Sequence, residues 1–273
     1  MKKSREEPGA EAAQDRARSF VTSMDRGLRV IRAFGERRAF LTVSEVAERT
    51  DISRAAARRF LKTLEALDYV GTADGQRYFL KPSVLTLGFA YLSSLGLNEV
   101  VQPVLTSMLD RTGEPCSFAV LNETDVLYVA RAYNHQPLRA AIRVGDRLPA
   151  FSTALGRVLL SGKSDDELRA IMTTIQLKRH TPDTIIDPLL IMNEIAKIRR
   201  QGHAFSASEQ IFGLTAIAVP IRNAAGEIIA GLGVSTQFPE MAAKLETAIV
   251  PQLKDAAATI ELAMRTNPSP LSI

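Results

Sequence analysis

Residues 41–69 read LTVSEVAERTDISRAAARRFLKTLEALDY, and the spacing of their apolar and basic side chains predicts two helices joined by a tight turn. In the first, Val43, Val46 and Ala47 fall at i, i+3 and i+4 behind Thr42 or Ser44 as N-cap, giving a very short helix one apolar face that ends near Asp51. The second takes Ser53 as N-cap. Ala57, Phe60, Leu61, Leu64 and Leu67 line one side of it, while Arg54, Arg58 and Lys62 recur every four residues on another, with Ala55 and Arg59 beside them. A short helix, a turn of about three residues and a longer helix with an exposed cationic face is the geometry that lays a helix in a DNA major groove. An ordinary helical hairpin with a solvated basic stripe shares this local pattern, so the flanking sequence has to decide.

After Leu67 come two strand-like runs, Tyr69 to Thr72 and Arg77 to Leu80, separated by Ala73-Asp74-Gly75-Gln76. Asp-Gly between such runs signals a hairpin, because Gly relieves the positive φ that tight turns demand. The hairpin reads as a wing on which Arg77 and Tyr78 are expected to reach a phosphate or the minor groove, with Phe79 and Leu80 packing it down. The candidate DNA-binding residues are therefore Ser53, Arg54, Ala55, Arg58, Arg59, Lys62, Arg77 and Tyr78. Upstream, Phe20 to Glu36 reads as a helix, with Met24, Leu28 and Ile31 at i, i+4 and i+7 and Val30 and Phe34 broadening the face. Three helices and a wing over residues 19–81 make a winged helix-turn-helix. Residues 1–18 are polar, contain Pro8-Gly9 and show no periodicity, so a disordered tail is expected there.

Bulk properties set the outer limits. A chain of 273 residues, 46% of them apolar, can bury one large core or two moderate ones, and two are expected at this length. No apolar run approaches the roughly 20 residues that span a bilayer, and MKKSREEPGAEAAQDRAR at the N-terminus lacks the apolar segment of a signal peptide. No membrane partner and a cytoplasmic location are expected. One cysteine, Cys116, excludes an internal disulfide and a multi-cysteine zinc site and fits a reducing compartment. The formal charge of +4 is unevenly spread: residues 1–95 hold 17 Lys and Arg against 12 Asp and Glu, whereas residues 96–273 hold 17 against 18. Nucleic-acid contact is thus expected in the first part alone.

Pro82 ends the wing, and Ser83 can cap a helix through Val84, Leu85, Leu87, Gly88, Tyr91 and Leu92 to Ser94. Its apolar residues occupy more than half the circumference, as in a linker helix over residues 82–95 that packs against a second subunit; a purely intramolecular connector is the alternative. Residues 96–266 read as a second domain. A helix at Asn98–Thr112 is followed by strands at Ser117–Leu121, Val126–Ala132 and Leu138–Val144. Ser152 or Thr153 then caps a helix ending near Ser161, and helices follow at about 165–173 and 188–201, the latter closed by Gly202. A strand beginning at His203, strands at Leu214–Ile221 and Glu227–Thr236, and a long helix from Pro239 to about Arg265 complete an antiparallel sheet flanked by helices. Residues 267–273 form a second tail.

These segments, taken together and in order, resemble the IclR family of transcriptional regulators over roughly residues 20–266. The winged module is similar in SMDRGLRVIRAFGE, in LTVSEVAERTDISRAAARRFLKTLEALDYV and in LKPSVLTLGFAYL. The second domain is similar in TGEPCSFAVL, RVGDRLPAFSTALGRVLLSG, QGHAFSASEQIFGLTAIAVPI and GEIIAGLGVST. The resemblance implies an α+β protein with an N-terminal winged helix-turn-helix, a linker helix and a C-terminal GAF-like effector-binding domain. Within the family, SRAAARRFLKTL and GDRLPAFSTALGRVLL look most like regulators of aromatic-acid catabolism, in the protocatechuate and 4-hydroxybenzoate branch of the β-ketoadipate pathway. Many family members carry Ser-Thr where Ala55-Ala56 stand here. The implied partners are double-stranded operator DNA, a small organic acid effector such as protocatechuate, 4-hydroxybenzoate or β-ketoadipate, and further copies of the chain as a homodimer or dimer of dimers. RNA polymerase is a further partner that such a regulator can contact. An IclR-type regulator of another carbon-source pathway, with a different acid, is the alternative.

The resemblance places an effector pocket between the sheet and the helix after Pro149, lined by Thr153, Ala154, Leu155, Ser206, Leu214, Ala216, Gly233 and Ser235. The residues support part of this. Free amides at a helix start near Thr153 to Gly156 suit an anion, and strand alternation puts Leu214 with Ala216, and Gly233 with Ser235, on one face. A competing class is an enzyme built on the second domain, for which Cys116, His135, His180 and His203 are the candidate groups; Glu209 could be mistaken for a general acid, but its family-like setting in SASEQ suggests pocket or strand structure. The candidates are scattered without metal-ligand or catalytic spacing, so no catalytic residue, metal or cofactor is expected.

Overall fold

The computed structural model describes residues 20–35, 39–94, 97–134, 142–238 and 244–266, so the two expected tails, His135 and the start of the expected C-terminal helix at Pro239 lie outside the described residues. The chain divides into two compact units with the break between Ala90 and Tyr91.

The first unit contains α1 (Thr22–Arg32), β1 (Leu41–Thr42), α2 (Val43–Thr50), α3 (Arg54–Ala66), β2 (Val70–Thr72) and β3 (Arg77–Leu80). Thr42 rather than Ser44 caps α2, in a reciprocal capping box: its hydroxyl accepts from the Glu45 amide, and the Glu45 carboxylate accepts from the Thr42 amide at 2.8 Å. Asp51 then adopts φ 53°, the left-handed conformation that ends a helix abruptly, and Ser53 opens α3 by accepting from the Ala56 amide. Val30, Val46, Ala47, Ala57, Leu61 and Leu64 close the core beneath. α3 ends at Ala66, and Leu67, expected on its apolar side, is 60% exposed.

The wing has a third strand that the sequence reading lacked. β1 pairs antiparallel with β3, bringing Leu41 opposite Tyr78, and β3 pairs in turn with β2. That pairing corrects one candidate DNA contact: Tyr78 is 5% exposed and belongs to the core. α4 (Val84–Ser94) follows, with Leu85, Leu87 and Phe89 exposed at 75%, 52% and 65%.

The second unit is a six-stranded antiparallel sheet with helices on both faces, its strands ordered β6-β5-β4-β9-β8-β7. The strands are β4 (Cys116–Asn122), β5 (Asp125–Ala132), β6 (Arg147–Pro149), β7 (Ala204–Ala207), β8 (Thr215–Arg222) and β9 (Ile228–Thr236). On one face, α5 (Gln102–Thr112) and the C-terminal α9 (Val250–Thr266) bury Leu105, Met108, Leu253 and Ile260 against Phe118, Ile217, Leu232 and Val234. On the other, α6 (Ala154–Leu160), α7 (Asp165–Thr174) and α8 (Pro188–Gln201) bury Val158, Leu168, Ile191 and Ile195. The expected strand at Leu138–Val144 is corrected: residues 138–141 lie outside the described residues, and Ile142–Val144 form a turn leading to Gly145 at φ 94°. The strand that pairs with β5 is instead β6, with Asp125 opposite Pro149. Among the described residues no helix is long and apolar enough to cross a membrane.

Candidate DNA-binding face and ligand pocket

The structure places Arg54, Ala55, Arg58, Arg59 and Lys62 on the exposed side of α3 and buries Ala57, Leu61 and Leu64 on the other. Among the described residues none of these four cations is in an ion pair, so their charge stands free on one helix face. Ser53, also exposed, spends its hydroxyl on the Ala56 amide at 3.2 Å. Arg77 is exposed at the wing, where its Nε meets Asp74 at 2.8 Å and its guanidinium lies 5.9 Å from the Phe40 ring centroid. Asp74 is held down at a pKa of about 2, chiefly by accepting from the Arg77 amide. The wing turn is thereby braced from inside, and only part of the Arg77 charge is left for a partner.

In the second unit a cavity opens between the sheet and the start of α6. Strand pairing builds its floor. Ser206 lies opposite Ala216, which lies opposite Ser235, and the next row on that face runs Ser117, Gly233, Ala218. Thr153, Ala154 and Leu155 form the wall on the α6 side, and Leu214 closes the approach to β8. All eight residues named from the sequence thus surround one cavity.

Further lining residues were not singled out there: Ser117, Tyr128, Ile142, Leu148, Ser152, Gln210 and Ile211. The alternation along β4 and β5 was the available signal for Ser117 and Tyr128. None existed for Gln210, whose amide oxygen accepts from Ser152 at 2.5 Å across 58 residues of sequence.

The helix start takes one of its two expected caps. Thr153, not Ser152, caps α6, and its hydroxyl takes the Gly156 amide at 3.0 Å, so that donor is spent within the protein. Gly156 is required there for closeness: a Cβ would fall 2.2 Å from the Ala150 carbonyl oxygen. Beneath the wall lies a buried ion pair. Arg157, 1% exposed, donates from both terminal nitrogens to Glu209 at 2.6 and 2.5 Å and from Nε to the Phe151 carbonyl at 2.8 Å. Thr184 and Thr181 donate to the Glu209 and Ser208 carbonyls, so the segment 208–214 that carries Gln210, Ile211 and Leu214 is fastened at its root. Glu209 is therefore a structural anchor.

The other catalytic candidates do not assemble. Cys116 is fully buried, and burial pushes its thiol up to about 12, leaving it a neutral core group. His180 is exposed beside the Phe151 ring, and His203 bonds the Gln201 carbonyl and approaches Glu246 at 3.6 Å. Among the described residues no group of His, Cys, Asp and Glu is arranged to hold a metal.

Residues 23–74 match the IclR helix-turn-helix domain, and residues 89–262 match the domain described as bacterial transcriptional regulator IclR C-terminal. The chain belongs to the IclR family of bacterial transcriptional regulators. Within that family it is 42% identical over 240 residues to the Pca regulon regulatory protein of Pseudomonas putida, covering 87% of this chain and 82% of that one. It is 39% identical over 227 residues to the p-hydroxybenzoate hydroxylase transcriptional activator of Acinetobacter baylyi, covering 81% and 83%. The crystal structure of an IclR homologue complexed with 4-hydroxybenzoate, from Microbacterium hydrocarbonoxydans, superposes with a TM-score of 0.76 at 25% identity, covering 90% of this chain and 100% of that one. These IclR relatives are transcriptional regulators, and the winged module and the antiparallel-sheet domain are the family's two parts.

Proposed function

We propose that this IclR regulator controls genes of aromatic-acid catabolism by binding operator DNA through α3 and a small organic acid, such as protocatechuate, 4-hydroxybenzoate or β-ketoadipate, in the pocket at the start of α6. The observation that carries the reading is a cavity floored by small residues, in a chain whose relatives include the Pca regulon regulator and the 4-hydroxybenzoate-bound homologue. Thr153, Ala154, Leu155, Ser206, Leu214, Ala216, Gly233 and Ser235 are the proposed contacts. By linkage, an effector that loosens the DNA complex must itself bind less tightly when operator is present. Calorimetry of the full chain against the three acids, with and without operator, tests the reading; if none binds, or if binding leaves operator affinity and transcription unchanged, it fails.

On the DNA side, Ser53, Arg54, Ala55, Arg58, Arg59, Lys62 and Arg77 are the proposed contacts, without Tyr78. Arg58→Ala is expected to weaken operator binding by about 1–3 kcal/mol, the worth of one arginine reading a guanine edge. The fold should hold, because the position is exposed and Ala favours a helix. Gel-shift titration at fixed salt measures the loss, and wild-type affinity would remove Arg58 from the interface. Two half-sites need two modules, and Leu85, Leu87 and Phe89 on α4 offer the apolar surface for a homodimer that can pair further into a tetramer. Sedimentation of the full chain reads that directly, a monomer mass counting against it.

A further inference from the structure

We propose that Arg131 supplies the counter-charge for the carboxylate of an acid bound in the pocket. The inference rests on the organic-acid reading of that pocket and goes beyond it by naming the anion's partner. Strand pairing puts Arg131 opposite Ser117, in the row that continues to Gly233 on the pocket floor. Its Nε donates to the Ser117 hydroxyl at 2.9 Å, and one terminal nitrogen donates to the Ile142 carbonyl. Ser117, Ile142 and Tyr128 all line the cavity, so the guanidinium sits directly behind its wall.

The charge is buried and short of a partner. Arg131 is 8% exposed, yet among the described residues no carboxylate lies within ion-pair distance of it. Asp146 acts on it only from farther away and spends one carboxylate oxygen on the Arg143 amide at 2.7 Å. Tyr128 and Tyr133 flank the guanidinium, each with its ring centroid 5.9 Å away. Tyr128 does not neutralise it: burial pushes its phenol up to about 12, so that group stays protonated. Burial also lowers the Arg131 pKa below its ordinary value, as expected of a cation taken out of water without an anion beside it. The stretch 135–141, HQPLRAA, contains no acidic residue to supply one.

Of the five N–H donors a guanidinium carries, two are engaged by described residues, and a carboxylate takes two in a fork. The Ser117 oxygen accepts from Arg131, so the hydroxyl's own proton is the one it can offer to a ligand oxygen. The start of α6 is a weaker claimant for the anion, since Thr153 already occupies the Gly156 amide.

The test compares 4-hydroxybenzoate with its uncharged amide, 4-hydroxybenzamide, by calorimetry on the full chain. The wild type is expected to favour the acid by about 100-fold, the scale of a desolvated, charge-assisted pair. Arg131→Gln should abolish that preference by weakening the acid while leaving the amide within about threefold, and Arg131→Lys should restore part of it. Thermal melting establishes that each variant is folded, and the wild-type acid-to-amide ratio tests the assignment even if a variant is not. A wild type that binds acid and amide alike, or an Arg131→Gln protein that keeps the preference, overturns the assignment while the organic-acid reading stands. A wild type that binds neither of these nor the other two proposed acids overturns both.

Discussion

Glu209→Ala is expected to destabilise the C-terminal domain by about 3–5 kcal/mol, because removing one member of a buried ion pair strands the other. Arg157 is 1% exposed and sends both terminal nitrogens to Glu209, so in the variant the guanidinium keeps only the Phe151 carbonyl. Water has no easy route to replace the lost oxygens. The Ile185 amide, which reaches the same carboxylate at 3.3 Å, loses its partner as well. Urea denaturation of the full chain should show the domain's transition moved to much lower denaturant. Converting both residues together, Arg157→Met with Glu209→Leu, should recover most of the loss, since it removes the stranded charge instead of exposing the deficit. A folded Glu209→Ala protein with the wild-type midpoint would show that the pair contributes nothing.

The other large effect concerns ligand binding with the fold preserved. Ala216→Phe is expected to reduce the affinity for any of the proposed acids by about two orders of magnitude or more, because the added ring takes the room that an aromatic ligand needs. Ala216 stands in the middle of the Ser206–Ala216–Ser235 row on the cavity floor and is partly open to that cavity, so the added ring projects into it. Operator affinity without effector should stay as in wild type, and the response to effector should vanish. Paired calorimetry and gel shifts read both quantities. Wild-type acid affinity in Ala216→Phe would move the ligand elsewhere in the domain.

The winged module was legible wherever its determinants are local. Caps at Thr42 and Ser53, the left-handed turn at Asp51 and the Asp-Gly hairpin each depend on residues within a few positions, and each formed where the spacing predicts. Tyr78 was misassigned for a different reason. Period-two alternation in Arg77–Leu80 separates two faces but does not say which is inside, and the answer comes from β1, a two-residue strand far upstream that pairs Leu41 with Tyr78. In the second domain the longer strands and helices were legible, while β6 was not. Three residues carry little alternation, and their place in the sheet is set by contact with Asp125–Leu127.

The candidate pocket shows the same division. Its eight named positions came from motif resemblance and do surround a single cavity, with strand alternation accounting for the pairs on β8 and β9. The pair that braces it did not emerge: Glu209 reads as pocket or strand structure from its setting, but its partner Arg157 lies 52 positions away and looks like an ordinary solvated charge in its own neighbourhood. Arg131 was hidden differently: a charge in a strand reads as surface until the register shows that its face is turned toward the helices.

Holding the domain together and contacting the cavity fall largely to different side chains. The Arg157–Glu209 pair and the threonines that fasten segment 208–214 lie outside the cavity lining, whereas Ala216 and Ser206 line it and their side chains make none of the hydrogen bonds that brace it. A lineage carrying this scaffold can therefore exchange floor residues among Ala, Ser, Thr or Val, altering volume and polarity one methyl or hydroxyl at a time, without dismantling what keeps the sheet and α6 in place. Inducer preference is then free to drift between neighbouring acids faster than the architecture does, and descendants of one regulator can come to answer different nutrients.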